Sequence, residues 1–106
     1  MRPMISNLRT PVRGSRPTLV DKEIIPALHF PKEEVLRNSF DRFQRDKDLE
    51  HSIVLGNCYR FKVRIVFEDI EGIKQVHTTI WGVTDKSVIL KRNVILPIRR
   101  IHRINY

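Results

Sequence analysis

Hydrophobic and polar residues alternate most regularly in the second half of the chain. Residues 59–68 place apolar side chains at every second position, with the cations Arg60, Lys62 and Arg64 between them. Successive side chains of a strand point to opposite faces, so this stretch predicts a strand with one apolar and one cationic face. Residues 69–72 then supply a hairpin loop with glycine near its end.

A second strand is predicted over residues 73–83, and its alternation breaks near the end. Ile80 is the last apolar residue of one face, whereas Trp81 and Val83 lie on the other face with Gly82 between them. Glycine inside a strand commonly marks a bulge or a bend. A small barrel needs such a bend where a strand turns a corner.

Shorter elements are predicted after this bend. Residues 88–90 and 94–96 are β-prone runs separated by a turn at residues 91–93. The spacing of Ile98 and Ile101 predicts a single helical turn before a closing strand at residues 101–105. Residues 52–55, ahead of the first long strand, are predicted as a further short β-prone run.

One amphipathic helix is predicted over residues 31–46. Pro31 suits a first helical turn, and two glutamates follow where the helix dipole favours negative charge. The residues Leu36, Phe40 and Phe43 recur at helical spacing and form a narrow apolar stripe. We expect these three side chains to contact the barrel.

Residues 1–30 contain four of the six prolines and have no sustained periodicity. They predict a basic, Pro-containing tail that is partly disordered, followed by a single domain over residues 31–106. Apolar residues between Leu19 and Phe30 are expected to pack across the barrel, with order beginning after Pro17. The element order predicts a mainly β fold, a five-stranded Sm-like (SH3-like) barrel capped by one N-terminal amphipathic helix.

Several segments between Val63 and Ile104 resemble one family of small barrels. These segments are Arg64-Ile65-Val66-Phe67-Glu68-Asp69, Gly72-Ile73-Lys74, Asp85-Lys86-Ser87-Val88-Ile89-Leu90 and Leu96-Pro97-Ile98-Arg99-Arg100-Ile101. They are similar to the Sm-like fold, in particular to Rho-binding antiterminator (Rof-like) proteins and more loosely to Hfq. The resemblance implies a helix that caps one open end of the barrel. Sm-like barrels also frequently form rings.

The formal net charge is +8 and is unevenly distributed. Residues 1–20 hold four arginines and no acid, and residues 86–106 hold six lysines and arginines and no acid. Such asymmetry favours a polyanionic partner such as RNA. The alternative is a basic surface that keeps the protein soluble and binds no particular ligand.

The candidate nucleic-acid-binding residues are aromatic or cationic side chains near the predicted strands and the last turn. They are Arg60, Lys62, Arg64, His77, Trp81, Arg99, Arg100 and Arg103. Bases stack on an exposed indole, and neighbouring cations neutralise phosphates. Two alternatives remain open from the sequence: Trp81 belongs to the core beyond the bulge, and the cations are merely solvated.

The sequence contains no recognisable catalytic or cofactor-binding motif. The four histidines lack metal-ligand spacing, and the lone Cys58 can form no internal disulfide. We therefore expect no enzyme activity, no metal and no cofactor. The single cysteine suits a reducing compartment, and no apolar stretch approaches bilayer-spanning length, so a cytoplasmic protein without a membrane association is predicted.

These patterns predict a non-enzymatic module that binds nucleic acid, most readily RNA, or a nucleic-acid-associated protein through a basic barrel surface. The alternative is a protein-interaction or assembly module, which self-associates or binds a protein partner by strand addition at a barrel edge. A small core makes such association thermodynamically reasonable.

Overall fold

A computed structural model of the protein describes residues 16–106. Across these residues the fold is mixed α/β, with seven strands in two sheets and one α-helix. The strands are β1 (Thr18–Leu19), β2 (Val63–Asp69), β3 (Gly72–Thr78), β4 (Ile80–Val83), β5 (Ser87–Leu90), β6 (Val94–Pro97) and β7 (Ile101–Asn105). The helix α1 covers Ser39–Tyr59, and short 3-10 turns occur at Lys22–Ala27, Lys91–Asn93 and Ile98–Arg100.

The two sheets are joined by an almost continuous strand. One sheet has the order β1-β3-β2-β7 and the other β4-β5-β6, and only Thr79 separates β3 from β4. Buried side chains from both sheets form one core cluster that includes Phe67, Ile80 and Leu96. No strand pairing within the described residues closes the sheets on each other, so the five-stranded barrel stays a prediction.

The later strands and turns agree closely with the sequence pattern. β5, β6 and β7 lie where short strands were predicted, and both intervening 3-10 turns are present. In the hairpin between β2 and β3, Asp69 accepts hydrogen bonds at Oδ1 from the amides of Glu71 and Gly72 and from Lys74 Nζ, at 2.8–3.1 Å. Gly72 has φ of 147°, a conformation that side chains disfavour.

The predicted helix boundaries are wrong. α1 begins after Asn38, whose side chain accepts a hydrogen bond from the amide of Phe40 at 2.7 Å, and it continues to Tyr59. Residues 52–55 therefore belong to the helix and are not a β-prone run. An asparagine N-cap satisfies an amide that would otherwise lack a partner at the helix start. This cap determines the start of the helix more strongly than Pro31 does.

The predicted contact face of the helix is also wrong. Phe40 and Phe43 are 66% and 58% exposed, and the buried Leu36 precedes the helix. The face that packs on the strands carries Arg45, Leu49, Ser52 and Gly56 instead. A glycine and a serine let the helix approach β4 closely, and a buried ion pair accommodates Arg45. Hydrophobicity alone does not reveal such a face.

The segment before the helix packs on both sheets. β1 pairs in parallel with β3, and the amide of Val20 donates to the carbonyl of Gln75 at 2.9 Å. Ile25 is completely buried in the shared core, and the amide of Ile70 donates to the carbonyl of His29. The expected packing is thus observed for Val20, Ile25, Leu28 and Phe30, whereas Leu19 and Ile24 are exposed. Residues 1–15 of the predicted tail lie outside the described residues, and a domain boundary after residue 30 stays a prediction.

Candidate nucleic-acid interface

A concavity lies where the end of α1 meets β4. It has a cavity volume of about 510 Å³ and is lined by Gly56, Asn57, Arg60, Lys62, Thr79, Trp81 and Lys91. A smaller concavity of about 180 Å³ is lined by Lys62, Arg64, His77, Asn105 and Tyr106. Lys62 lines both, so the two adjoin. We call this combined surface the basic groove.

Arg60 and Lys62 reach the groove from outside the strands. Arg60 caps the C-terminus of α1 in the left-handed conformation, with φ of 56° and ψ of 35°, and its amide donates to the carbonyl of Gly56 at 3.0 Å. Lys62 lies in the connector to β2. The prediction that Arg60, Lys62 and Arg64 share one strand face is therefore wrong, and Phe61, predicted as a core residue, is half exposed. The three cations nevertheless line adjoining concavities.

The centre of the sheet positions Arg64 and His77. Arg64 on β2 lies directly opposite His77 on β3 and Asn105 on β7. Paired residues on neighbouring strands project to the same side of a sheet. Arg64 and His77 therefore share a face of the sheet.

Trp81 occupies a β-bulge at the edge of the groove. Ile80 pairs with Leu90 and Gly82 pairs with Ile89, so Trp81 is the extra residue between them. Its side chain is 44% exposed, whereas Ile80 is fully buried. The indole is therefore not a core residue, and part of it is available for stacking.

The linings of both concavities contain no aspartate or glutamate. Among residues 16–106, no ion pair joins a carboxylate to Arg60, Lys62, Arg64 or Lys91. Unneutralised cations on one concave surface repel each other and attract an anion. The basic groove thus offers positive charge that the described part of the protein does not itself neutralise.

Arg99 and Arg103 lie apart from the basic groove. Arg99 is half-buried, donates from Nε to the carbonyl of Pro31 at 3.3 Å, and lines a separate concavity that also contains Glu34, Asp46 and Asp85. Arg103 is half-buried on β7, opposite Val66. The surface around Arg99, one of the candidate residues near the last turn, is therefore mixed in charge. A nucleic-acid contact by either arginine stays a prediction.

Arg100 is a structural residue, which corrects its selection as a candidate nucleic-acid-binding residue. Only 6% of it is exposed. Its Nε donates to the carbonyl of Glu68 at 3.0 Å, and its Nη1 donates to the carbonyl of Glu33 at 2.8 Å. These bonds join the last 3-10 turn to β2 and to the segment before the helix. The guanidinium is occupied by internal carbonyls and is not presented to a ligand.

His102, two residues after Arg100, is expected to make the stability of the protein depend on pH. In the neutral ring, Nε2–H donates to Glu68 Oε1 at 2.8 Å. Burial lowers the pKa of His102 below its ordinary value of 6.5, although the Glu68 carboxylate acts in the opposite direction. The unfolded chain therefore takes up this proton at higher pH than the folded protein, and the contribution of His102 to stability is lost as pH falls below 6.5.

We expect the free energy of unfolding to decrease between about pH 7.5 and 5.5 because of this group. His102→Gln retains a donor for Glu68 but does not titrate, so it should flatten the profile. Urea unfolding at several pH values measures the difference. Equal slopes for the variant and the original protein would contradict the role of His102.

Sequence reasoning did not select Asn57, Lys91, Asn105 or Tyr106 for the site. Lys91 belongs to the turn predicted at residues 91–93, and a side chain in such a turn is ordinarily solvated. The sequence signal for including Lys91 in the site was its position directly after β5. The amide of Lys91 donates to the carbonyl of Thr79 at 3.1 Å, and this hydrogen bond holds the turn beside Trp81. Only the fold brings the helix end and this turn together.

No protein family model matches the chain, and neither a similar curated protein nor a similar solved structure was found. Within residues 16–106, no group of three or more His, Cys, Asp or Glu side chains is arranged to hold a metal ion. The same residues include no helix with the length and apolar character needed to cross a membrane. The function must follow from the chemistry of the groove.

Proposed function

We propose that the protein binds single-stranded nucleic acid, most readily RNA, along the basic groove. The observation that supports this best is the convergence of Arg60, Lys62, Arg64, His77 and Trp81, which lie on different elements, around one surface without acidic side chains. An arrangement that only kept the protein soluble would not require these residues to meet. The proposal includes neither Arg100 nor residues 1–15.

In this proposal, the phosphates of the strand lie across the cations and one base stacks on Trp81. Arg60 and Lys91 line the larger concavity together with Trp81, and Lys62 also lines the smaller one with Arg64. Base stacking on an aromatic side chain contributes roughly 1–3 kcal/mol and tolerates any sequence. The cations supply affinity. His77 and the side-chain amides of Asn57 and Asn105 supply the hydrogen bonds that would discriminate among bases.

Binding is expected to quench the fluorescence of Trp81, the only tryptophan of the chain, and to weaken steeply with salt. If four cations each neutralise one phosphate, affinity for a single strand should fall roughly 50-fold between about 50 and 200 mM salt. Titration of a short single-stranded RNA at both salt concentrations, followed by tryptophan emission, measures this. Affinity that does not change with salt, or no binding at the lower concentration, would refute the proposal.

Arg60→Gly is the sharpest variant, because glycine suits the left-handed conformation that arginine adopts only with strain. We expect it to stabilise the protein by about 0.5–1 kcal/mol while weakening RNA binding about fivefold. A loss of affinity in a more stable protein cannot be attributed to unfolding. Lys32→Gln is the matched control, since this exposed cation lines neither concavity and its loss should leave affinity almost unchanged.

We also propose that the two sheets form the halves of a five-stranded Sm-like barrel, related to Rof-like proteins. Counting β3 and β4 as one bent strand and leaving out the two-residue β1 gives five strands, and β7, the last in sequence, pairs with β2. The shared core cluster and the bulge at Trp81 support a single curved structure. An experimental structure with β6 and β7 remote from each other would contradict closure.

A further inference from the structure

The solvent-facing side of α1 carries a row of residues with a seven-residue repeat. Going along the helix, the row consists of Phe40, Phe43, Lys47, Glu50, Val54 and Asn57, which are separated alternately by three and four positions. We call this row the helix seam. All six residues are exposed, including the large apolar side chains Phe40 and Phe43 and the 51% exposed Val54.

The helix seam lies opposite the face that packs on the strands. Arg45, Leu49, Ser52 and Gly56 are the buried residues of α1, and they are displaced by about half a turn from the seam. A three-four repeat along a helix of 21 residues is the spacing that lets two helices pack along a common seam. Exposed apolar side chains near both ends of one helix face are typical of a contact surface.

We propose that the helix seam binds a second copy of this chain, with the two helices antiparallel. In an antiparallel pair related by twofold symmetry, Phe43 faces Val54 of the other copy, Lys47 faces Glu50, and Phe40 faces Asn57. Every layer then occurs twice, as an isologous contact requires. This contact differs from strand addition at a barrel edge. It ends beside the basic groove, because Asn57 also lines the larger concavity.

The charges of the seam determine the orientation. Lys47 and Glu50 are the central residues, and within one chain they form only an exposed contact of 3.8 Å. A parallel pair in register would bring Lys47 against Lys47 and Glu50 against Glu50, which is repulsive. The antiparallel pair makes two opposite-charge contacts between the chains. The same seam therefore attracts one orientation and disfavours the other.

Analytical ultracentrifugation of the nuclease-treated full chain tests the pairing. We expect the mass to rise from 12.6 kDa towards twice that value as protein concentration increases. Phe43→Glu should weaken the association about 30-fold or more, because it places a charge in an apolar layer. Lys32→Glu, which lies outside the helix, is the control for changed net charge.

Charge exchange at the centre provides the stricter test. Lys47→Glu and Glu50→Lys should each weaken self-association about 10-fold, because every central contact becomes repulsive. The double variant should restore the association, and a mixture of the two single variants should form a heterodimer. A chain that stays monomeric up to millimolar concentration, or a dimer unaffected by Phe43→Glu, would overturn the proposal. So would single charge variants that fail to complement each other.

Discussion

Replacing Gly56 with alanine is expected to destabilise the protein by on the order of 3 kcal/mol. A Cβ at this position would lie 2.2 Å from the carbonyl oxygen of Ile80 and 3.1 Å from Cγ2 of Thr79. The first neighbour is backbone, so α1 and β4 must move apart, and overpacking of this kind usually costs 1–3 kcal/mol or more. Thermal unfolding should show a Tm lower by more than about 10 °C.

The matched control for this substitution is Asn57→Ala at the next position of the helix. Alanine has the higher helix propensity, and Asn57 is exposed, so this variant should be as stable as the original protein or slightly more stable. Gly56→Ala should also weaken RNA binding, since Gly56 and Thr79 line the larger concavity. An alanine variant of unchanged stability would show that the helix lies farther from β4.

Replacing Glu34 with glutamine is expected to lower the free energy of unfolding by about 3 kcal/mol. Arg45 is almost completely buried and donates to both carboxylate oxygens of Glu34 at 2.7 Å and to the carbonyl of Ile101 at 2.9 Å. Without the carboxylate, a guanidinium remains buried with no opposite charge. Urea unfolding at neutral pH measures the loss.

The pKa of Glu34 is lowered, as expected for a carboxylate that pairs with a buried guanidinium. Burial would raise this pKa, but the hydrogen bond from Arg45, the amide of Leu36 and the nearby positive charge hold it below 4.5. The stabilisation is therefore present above that pH and is lost as pH falls through the folded pKa. Glu23→Gln is the control, because this carboxylate is exposed and its ion pair with the neighbouring Lys22 is a surface contact, so almost no change of stability is expected. Equal effects of both variants would contradict a structural role for the Glu34–Arg45 pair.

The strands were predictable because their pattern has a period of two and is interrupted by turn residues. β5 to β7 are short, each has an apolar inward face, and the turns between them contain residues that favour tight geometry. The bend near Gly82 was also predictable, since glycine within a strand signals a bulge, and the register shift occurs beside it at Trp81. Local pattern and tertiary packing agree in this half of the chain.

The helix was mispredicted because Leu49 is the one apolar side chain among the buried residues of its packing face, and the others are Arg45, Ser52 and Gly56. Arg45, Ser52 and Gly56 are buried for reasons that lie elsewhere in the fold, namely the carboxylate of Glu34 and the close approach of Ile80. Phe40 and Phe43 are the more apolar residues, yet they face solvent. Periodicity identifies an amphipathic helix, but it does not say whether the apolar side faces the core or a partner.

The candidate site was predictable in its residue types but not in its construction. Arg64 and His77 were placed together by the hairpin register, which follows from sequence. Arg60 and Lys91 come from a helix end and a turn, and only the fold brings them beside Trp81. Arg100 could not be distinguished from an exposed arginine, because its carbonyl acceptors at Glu33 and Glu68 belong to distant segments.

The pairing of β1 with β3 has a consequence for shortened forms of this protein. With Thr18–Leu19 in place, β3 has hydrogen-bonding neighbours on both of its sides. Chains that begin after Leu19 would leave the amides and carbonyls of β3 bare, and uncovered edges of this kind promote aggregation. Laboratory truncations should therefore retain Thr18 and Leu19 if the product is to remain dispersed at high concentration.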